Sequence, residues 1–382
     1  PVEHADILEF LAIGTDGNPI QNLQYGVTVT DAWMEEMKAG DKSKRKIWAK
    51  IIQNRSEIGF PYIMFKDNSN NNSPYKELGM DITASNLCSE IQLPTDSYNS
   101  FVCCLGSINV LHWDEIKETD AIQTYVYFLN AVMDEFIVKS ETMPGMKRAN
   151  NFAKEHRAIG LGVLGYHSLF QSKLIEFDSI QAKGLNAQIF STIKDRSEIA
   201  SRKLHKEHGY TSLRNGYANT TLIAIAPTKS SSFIHGAVSM GIEPIKSNYF
   251  IKDLAKSKTV YKNPFLIDEL EKYGMNTDKV WKSILKKDGS VQHLGFPTQA
   301  VFKSFVEISP KEIVLQAAQR QKYIDQSQSL NLMIDPSVSA KDINKLYMYA
   351  WEEGVKTLYY QFSKSSAQDF ARNILECNSC EG

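Results

Sequence analysis

Apolar residues recur along this chain in two rhythms. Ile122, Tyr125, Val126, Leu129, Val132, Met133 and Phe136 follow one another at three- to four-residue spacing. That rhythm puts them on one helical face and predicts an amphipathic helix over Asp120–Lys139. Gln188–Glu207 reads as a second such helix. Ile343, Leu346, Tyr347 and Ala350 predict another, running out near Gly354. The second rhythm is a short continuous apolar run. "FPYIMF" (Phe60–Phe65) and "TTLIAIAP" (Thr220–Pro227) predict short buried strands. Strands alternating with helices indicate an α/β fold rich in parallel sheet. "DNSNNNSP" (Asp67–Pro74) reads as a polar, turn-forming loop. No internal repeat is visible. After Ser363 the residues become small and polar, which predicts a mobile tail.

Composition narrows the class. The chain has 382 residues, 42% of them hydrophobic, ample for a large core. A net charge of −1, with both signs interspersed, gives no polyanion-binding surface and hence no nucleic-acid partner. No apolar run reaches the ~18–20 residues of a membrane span. The opening residues, Pro1–Phe10, are acidic and mixed, unlike a signal peptide. A soluble, cytoplasmic protein is expected. Pro1 stands where an initiating Met would be, which suggests a start inside a longer reading frame, or processing.

The chemistry gathers around five cysteines: Cys88, Cys103, Cys104, Cys377 and Cys380. An odd number at these spacings is not a secreted disulfide scaffold and points to redox chemistry or metal. Cys88 lies in "SNLCSEIQLP" (Ser85–Pro94), with Asn86 two residues before and Glu90 two after. In an extended segment Asn86, Cys88 and Glu90 would share one face, and Leu87, Ser89 and Ile91 the other. A carboxylate ~7 Å along a strand from a thiol is badly placed as that thiol's base. It could act on a neighbouring atom of a shared ligand. The plainer alternative is a buried structural cysteine between two edge polar residues. The terminal Cys377-Asn-Ser-Cys380 lacks the second CxxC of a closed zinc site, so no metal is expected. It also lacks the helix that follows a thioredoxin-like motif. It could be an incidental pair of thiols, or a dithiol arm exchanging with a buried disulfide.

Two motifs mislead. Gly160-Leu-Gly162-Val-Leu-Gly165 is a literal GxGxxG, but the charged, helix-like "NNFAKEHRAI" precedes it where a dinucleotide fold needs an apolar strand. The glycines then serve close backbone packing. His205, Glu207 and His208 lie on a heavily charged helix and read as a solvated face.

"NLCSEIQLP", "CCLGSINV", "IGLGVLGYHSLF", "IAPTKSSS", "GIEP", "KTLYYQ" and the terminal cysteine pair occur in an order that resembles the large, catalytic subunit of class I (aerobic) ribonucleotide reductase. The resemblance runs from about Ile7 to the C-terminus. It implies an α/β fold: the second half of a ten-stranded α/β barrel with an internal finger loop over residues 1–335. A helical segment over 336–362 and a flexible redox tail over 363–382 would follow. It implies that Cys88 becomes a thiyl radical abstracting the 3′ hydrogen of a ribonucleoside diphosphate, that Glu90 takes the 3′-hydroxyl proton, and that Asn86 bonds the ribose hydroxyls. Leu87 and Ser89 complete that substrate-binding stretch.

Cys103, chosen over Cys104, resembles one of two cysteines that reduce the 2′ position and end as a disulfide. Cys377 and Cys380 resemble the pair that re-reduces it and is itself reduced by thioredoxin or glutaredoxin. Tyr359 and Tyr360 resemble a radical-transfer pair leading to a radical-generating small subunit. Pro227, Thr228, Lys229, Ser230 and Ser231 resemble a diphosphate-binding turn. Hydroxyls and N–H groups at a helix start also favour anions on physical grounds, though a Ser-rich cap would look the same. No cofactor is expected in this chain. The dinuclear metal/radical cofactor would belong to the small subunit, and nucleotide effectors to a missing N-terminal part. No cysteine occurs between Pro1 and Leu87 to pair with Cys103, and a vicinal Cys103–Cys104 disulfide would be strained. The resemblance therefore implies a split or truncated subunit needing an N-terminal fragment, inactive alone. The alternative is a structural or interaction half with no activity of its own.

Overall fold

The computed structural model describes residues 1–254 and 257–363. The elements that build the site are, in chain order, β1 (Gly26–Val29), α1 (Lys42–Ile58), β2 (Tyr62–Phe65), β3 (Leu105–Asn109) and α2 (Ala121–Ser140). They continue with β4 (Gly160–Leu164), α3 (Ile180–His208), α4 (Pro310–Gln321), β5 (Leu332–Met333), α5 (Ala340–Glu352), β6 (Thr357–Leu358) and β7 (Gln361–Phe362).

The helices start and stop where local chemistry dictates. Asp41 caps α1 by accepting from Lys44 N at 2.9 Å, and Gly59 ends it at φ 90°. In α2 the buried face carries Ile122, Val126, Leu129 and Met133, as the spacing predicts. The helix expected over Gln188–Glu207 begins earlier, because Ser179 accepts from Ala182 N at 3.1 Å and sets the start. Ser339 caps α5 in the same way, and the helix ends two residues before Gly354. The stretch expected as a loop, Asp67–Pro74, is in large part a short helix, Lys66–Asn71, steadied by Asn70, whose amide donates to the Lys66 and Ile82 carbonyls.

Parallel neighbours build the sheet. β3 pairs with β4, and Leu161 of β4 bridges to Ile223. Ile225 bridges to Gln328. Tyr359 N then donates to Leu330 O at 2.9 Å, and β5 runs parallel to β7. Beyond that the direction reverses: β6 is antiparallel to β2, which is parallel to β1. This is one parallel half of an α/β barrel meeting strands of the opposite half, with α2 and α3 packed against each other beside it. The strand expected over Thr220–Pro227 makes only isolated bridges. The Asp325 carboxylate occupies part of its ladder, accepting from Leu222 N at 2.7 Å and Ile223 N at 2.9 Å.

The glycines of the GxGxxG motif bring backbones together. A Cβ on Gly160 would lie 2.5 Å from Leu105 Cδ2 and 2.8 Å from Ala224 Cβ. One on Gly162 would lie 2.6 Å from Ala224 O. The motif follows the helix Lys147–His156, not a strand. His208 and Glu207 are solvent-exposed on α3, as expected. A separate small core of Leu266, Leu270, Trp281, Ile284, Val291 and Phe302 lies between Pro264 and Phe302.

Candidate active site

Ser85–Gln92 is not the extended segment that the alternating pattern predicts. Ser89 N donates to Asn86 O at 3.2 Å, and Ser89 takes φ 70°, so the chain turns tightly around Cys88. The Asn86 side chain closes the turn by accepting from Ile91 N at 3.0 Å. Ser89, Glu90, Ile91 and Gln92 are consecutively buried, where alternation would leave every second one exposed. Asn86, Cys88 and Glu90 are grouped by a turn, not by a strand's period of two.

The turn docks on the strands that close the parallel half. The Ser329 hydroxyl lies 2.6 Å from Cys88 O and 3.1 Å from Glu90 Oε2. The Thr357 hydroxyl lies 3.2 Å from Ser89 O, and Ser327 N donates to Glu90 O at 2.9 Å. The Lys356 ammonium anchors the start of β6, donating to the Asn72 and Asp325 carbonyls at 2.9 and 2.8 Å. Burial pushes its pKa down to about 7, against the pull of Asp325.

The Tyr359 hydroxyl lies 3.6 Å from Cys88 Sγ. Its ring centroid is 4.5 Å from that of Tyr360. Tyr62, on β2, packs on both, at 4.7 Å from Tyr359 and 5.0 Å from Tyr360. The Tyr62 hydroxyl donates to Gln24 Oε1 at 3.1 Å. Sequence reasoning missed Tyr62, Ser329 and Thr357. Within its strand Tyr62 looks like any core aromatic, and the two hydroxyl residues carry no motif of their own.

The neighbouring cysteines part company. Cys104 is buried, and its thiol donates to Leu129 O of α2 at 3.5 Å. Cys103 is exposed. Partial desolvation pushes its thiol up to about 11, with the charges of Glu90 and Cys104 acting the same way. No disulfide joins Cys88, Cys103 and Cys104 to one another.

Pro227–Ser231 lies where the 222–226 segment ends. Thr228, at φ 53°, precedes the short helix Lys229–Ile234, and its hydroxyl accepts from Gly241 N at 2.7 Å. Lys229 and Ser231 are exposed. Cys377 and Cys380, with the expected tail, lie outside the described residues. Among the described residues no group of three or more His, Cys, Asp or Glu side chains could hold a metal ion. No described helix is long and apolar enough to cross a membrane.

A model of the ribonucleotide reductase barrel domain matches residues 42–213 and 210–361. The chain belongs to that family. A putative ribonucleoside-diphosphate reductase large subunit from Frog virus 3 is 32% identical over 416 residues, covering 100% of this chain and 74% of that protein. The large subunit of Invertebrate iridescent virus 3 is 37% identical, covering 88% of this chain and 56% of its own length. The class Id ribonucleotide reductase alpha subunit of Actinobacillus ureae superposes with a TM-score of 0.91 at 50% identity, over 99% of this chain and 71% of that one. The family match accounts for the half-barrel and for the turn inside it. Members of the family are oxidoreductases, and the chain spans only part of these relatives' lengths.

Proposed function

We propose that this chain carries the radical site of a ribonucleoside-diphosphate reductase and makes 2′-deoxyribonucleoside diphosphates for DNA synthesis. The observation that supports this best is the contact between Tyr359 and Cys88, with Glu90 anchored in the same turn. A radical on the Tyr359 oxygen takes the hydrogen atom of the Cys88 thiol, leaving a phenol and a thiyl. The thiyl takes the 3′ hydrogen of the substrate. Glu90 accepts the 3′-hydroxyl proton, and Asn86 holds the ribose hydroxyls. The 2′ hydroxyl takes a thiol proton and leaves as water, two cysteine thiols supply two electrons and become a disulfide, Glu90 returns its proton, and the Cys88 thiol gives the 3′ hydrogen back, restoring the thiyl.

Cys103 is one of these thiols. Cys104 faces α2, and Pro1–Leu87 holds no cysteine, so the second comes from an N-terminal polypeptide. Cys377 and Cys380 re-reduce the disulfide and are recharged by thioredoxin or glutaredoxin. Pro227–Ser231 takes the diphosphate, with Lys229 as the charge and the N–H groups at the helix start as donors. Tyr360 receives the radical from a small subunit whose dinuclear metal/radical cofactor supplies the oxidant.

The test is reconstitution with an N-terminal fragment and a small subunit, followed by an assay of CDP reduction. Cys88→Ala is expected to abolish product. Turnover retained in Cys88→Ala would reject the radical assignment, and full turnover without the N-terminal fragment would reject the split site.

A further inference from the structure

Arg55, on α1, is fully buried, yet the reaction as described does not use it. A guanidinium out of water costs several kcal/mol unless its donors meet acceptors. Here Nε and Nη1 meet three chain segments. Nε donates to the Tyr347 hydroxyl of α5 at 2.7 Å. Nη1 donates to the Pro61 carbonyl, in the turn that leaves α1, and to the Tyr359 carbonyl at 2.8 Å. The Tyr347 hydroxyl passes the contact on to Gln361 Oε1. Gln361 returns to α1 and its exit turn: its side-chain amide donates to Ser56 Oγ at 3.2 Å, and its backbone N–H to Gly59 O at 2.9 Å. The residues on both sides of Tyr360 are thus tied to one rigid corner.

We propose that Arg55 is a positioning residue for radical transfer, holding the Tyr359 main chain so that its phenol stays on Cys88 and its ring on Tyr360. The inference rests on the relay reading of Tyr359 and Tyr360. Arg55 exchanges neither proton nor electron. The hydrogen atom moves from the Cys88 thiol to the Tyr359 oxygen, and Arg55 sets the distance it crosses. Such transfers are steep in distance, and a misplacement of ~1 Å can cost about 10²-fold in rate. The planar fork matters, because an ammonium would not reach three acceptors on three segments together.

The test uses the reconstituted reductase. Arg55→Gln is expected to lower kcat at least about 10-fold with little change in KM, and Arg55→Lys to fall between it and the parent. The decisive readout replaces Tyr359 with 3-aminotyrosine, which traps the radical on that ring. Its β-methylene hyperfine couplings, read by EPR, report the angle between ring and main chain. In Arg55→Gln these couplings should shift or broaden. Couplings and kcat matching the parent in folded Arg55→Gln overturn the proposal, as does a lower kcat with parental couplings. Should Arg55→Gln fail to fold, Tyr347→Phe removes the hydroxyl that accepts from Arg55 Nε and donates to Gln361, and leaves the Nη1 contact to Tyr359 O in place. It should shift the couplings in a smaller degree, and unchanged couplings there overturn the proposal too. Tyr359→Phe separates the layers. If it keeps full turnover, the relay reading falls and this inference with it. If it is dead while Arg55→Gln is normal, only this inference falls.

Discussion

Tyr359 and Cys88 are 271 residues apart in sequence, yet the phenol hydroxyl of one lies 3.6 Å from the sulfur of the other. β6 and β7 bring the tyrosine in from the far end of the chain, and the Cys88 turn meets it inside the half-barrel. Removing the hydroxyl leaves the packing of the ring on Tyr62 and Tyr360 in place. Tyr359→Phe should therefore melt within ~1 kcal/mol of the parent while CDP reduction in the reconstituted enzyme is lost. A comparison of thermal unfolding with turnover checks this, and a fully active variant would remove the tyrosine from the path.

Tyr62 separates the role of a ring from that of a phenol. Its ring packs on both Tyr359 and Tyr360, while its hydroxyl donates to Gln24. Tyr62→Phe keeps the wedge and should keep most of the turnover. Tyr62→Leu loses it and should cost about 3 kcal/mol or less in stability along with most of the activity. Equal loss in both variants would make the hydroxyl a participant.

The two adjacent cysteines should behave differently. Cys103 is exposed, whereas the Cys104 thiol is buried and donates to Leu129 O of α2. Cys103→Ser should stop multiple turnover, and Cys104→Ala should retain it at a stability cost of roughly 1 kcal/mol. The reverse pattern in a steady-state assay would exchange their roles.

Gly162 tests the packing of β4. An alanine there puts a methyl 2.6 Å from the Ala224 carbonyl, and backbone cannot rotate aside as a side chain does. Gly162→Ala should destabilise the fold by about 1–3 kcal/mol, read by denaturant unfolding. A neutral result would mean that the strands separate more easily than this packing implies.

Acid should weaken the fold through His156. The ring is buried, stacks on Phe152 at 3.9 Å and meets the Tyr75 hydroxyl through Nδ1 at 2.9 Å. Desolvation lowers its pKa from 6.5 to about 4. The unfolded chain therefore takes up a proton, as pH falls from 6.5 towards 4, that the folded chain refuses. Stability drops across that window by roughly 3 kcal/mol and levels off below it. His156→Gln should lessen the slope of stability against pH between 6.5 and 4, and an unchanged slope would put the titration elsewhere.

Much of this was legible in the chain itself. Apolar spacing gave α2 and the end of α5, and the charged stretch before Gly160 separated its glycines from a dinucleotide loop. The residues of the Cys88 turn, the tyrosine pair and the order of the motifs pointed to the family. These features are local, or carried by residue identity, so one dimension suffices to read them. The grouping of Asn86, Cys88 and Glu90 was legible only as a set, because a period of two and a tight turn both bring residues i and i+2 near each other. The turn is decided by contacts that sequence distance hides: Ser329 and Thr357 hold it from more than two hundred residues away. The same holds for Arg55, whose buried charge is tolerable because the nearby Pro61 carbonyl is joined by a hydroxyl and a carbonyl from about three hundred residues away. Sequence named the candidate groups, and tertiary structure decided which of them touch, since hydrogen bonds between remote segments exist only once the chain has folded.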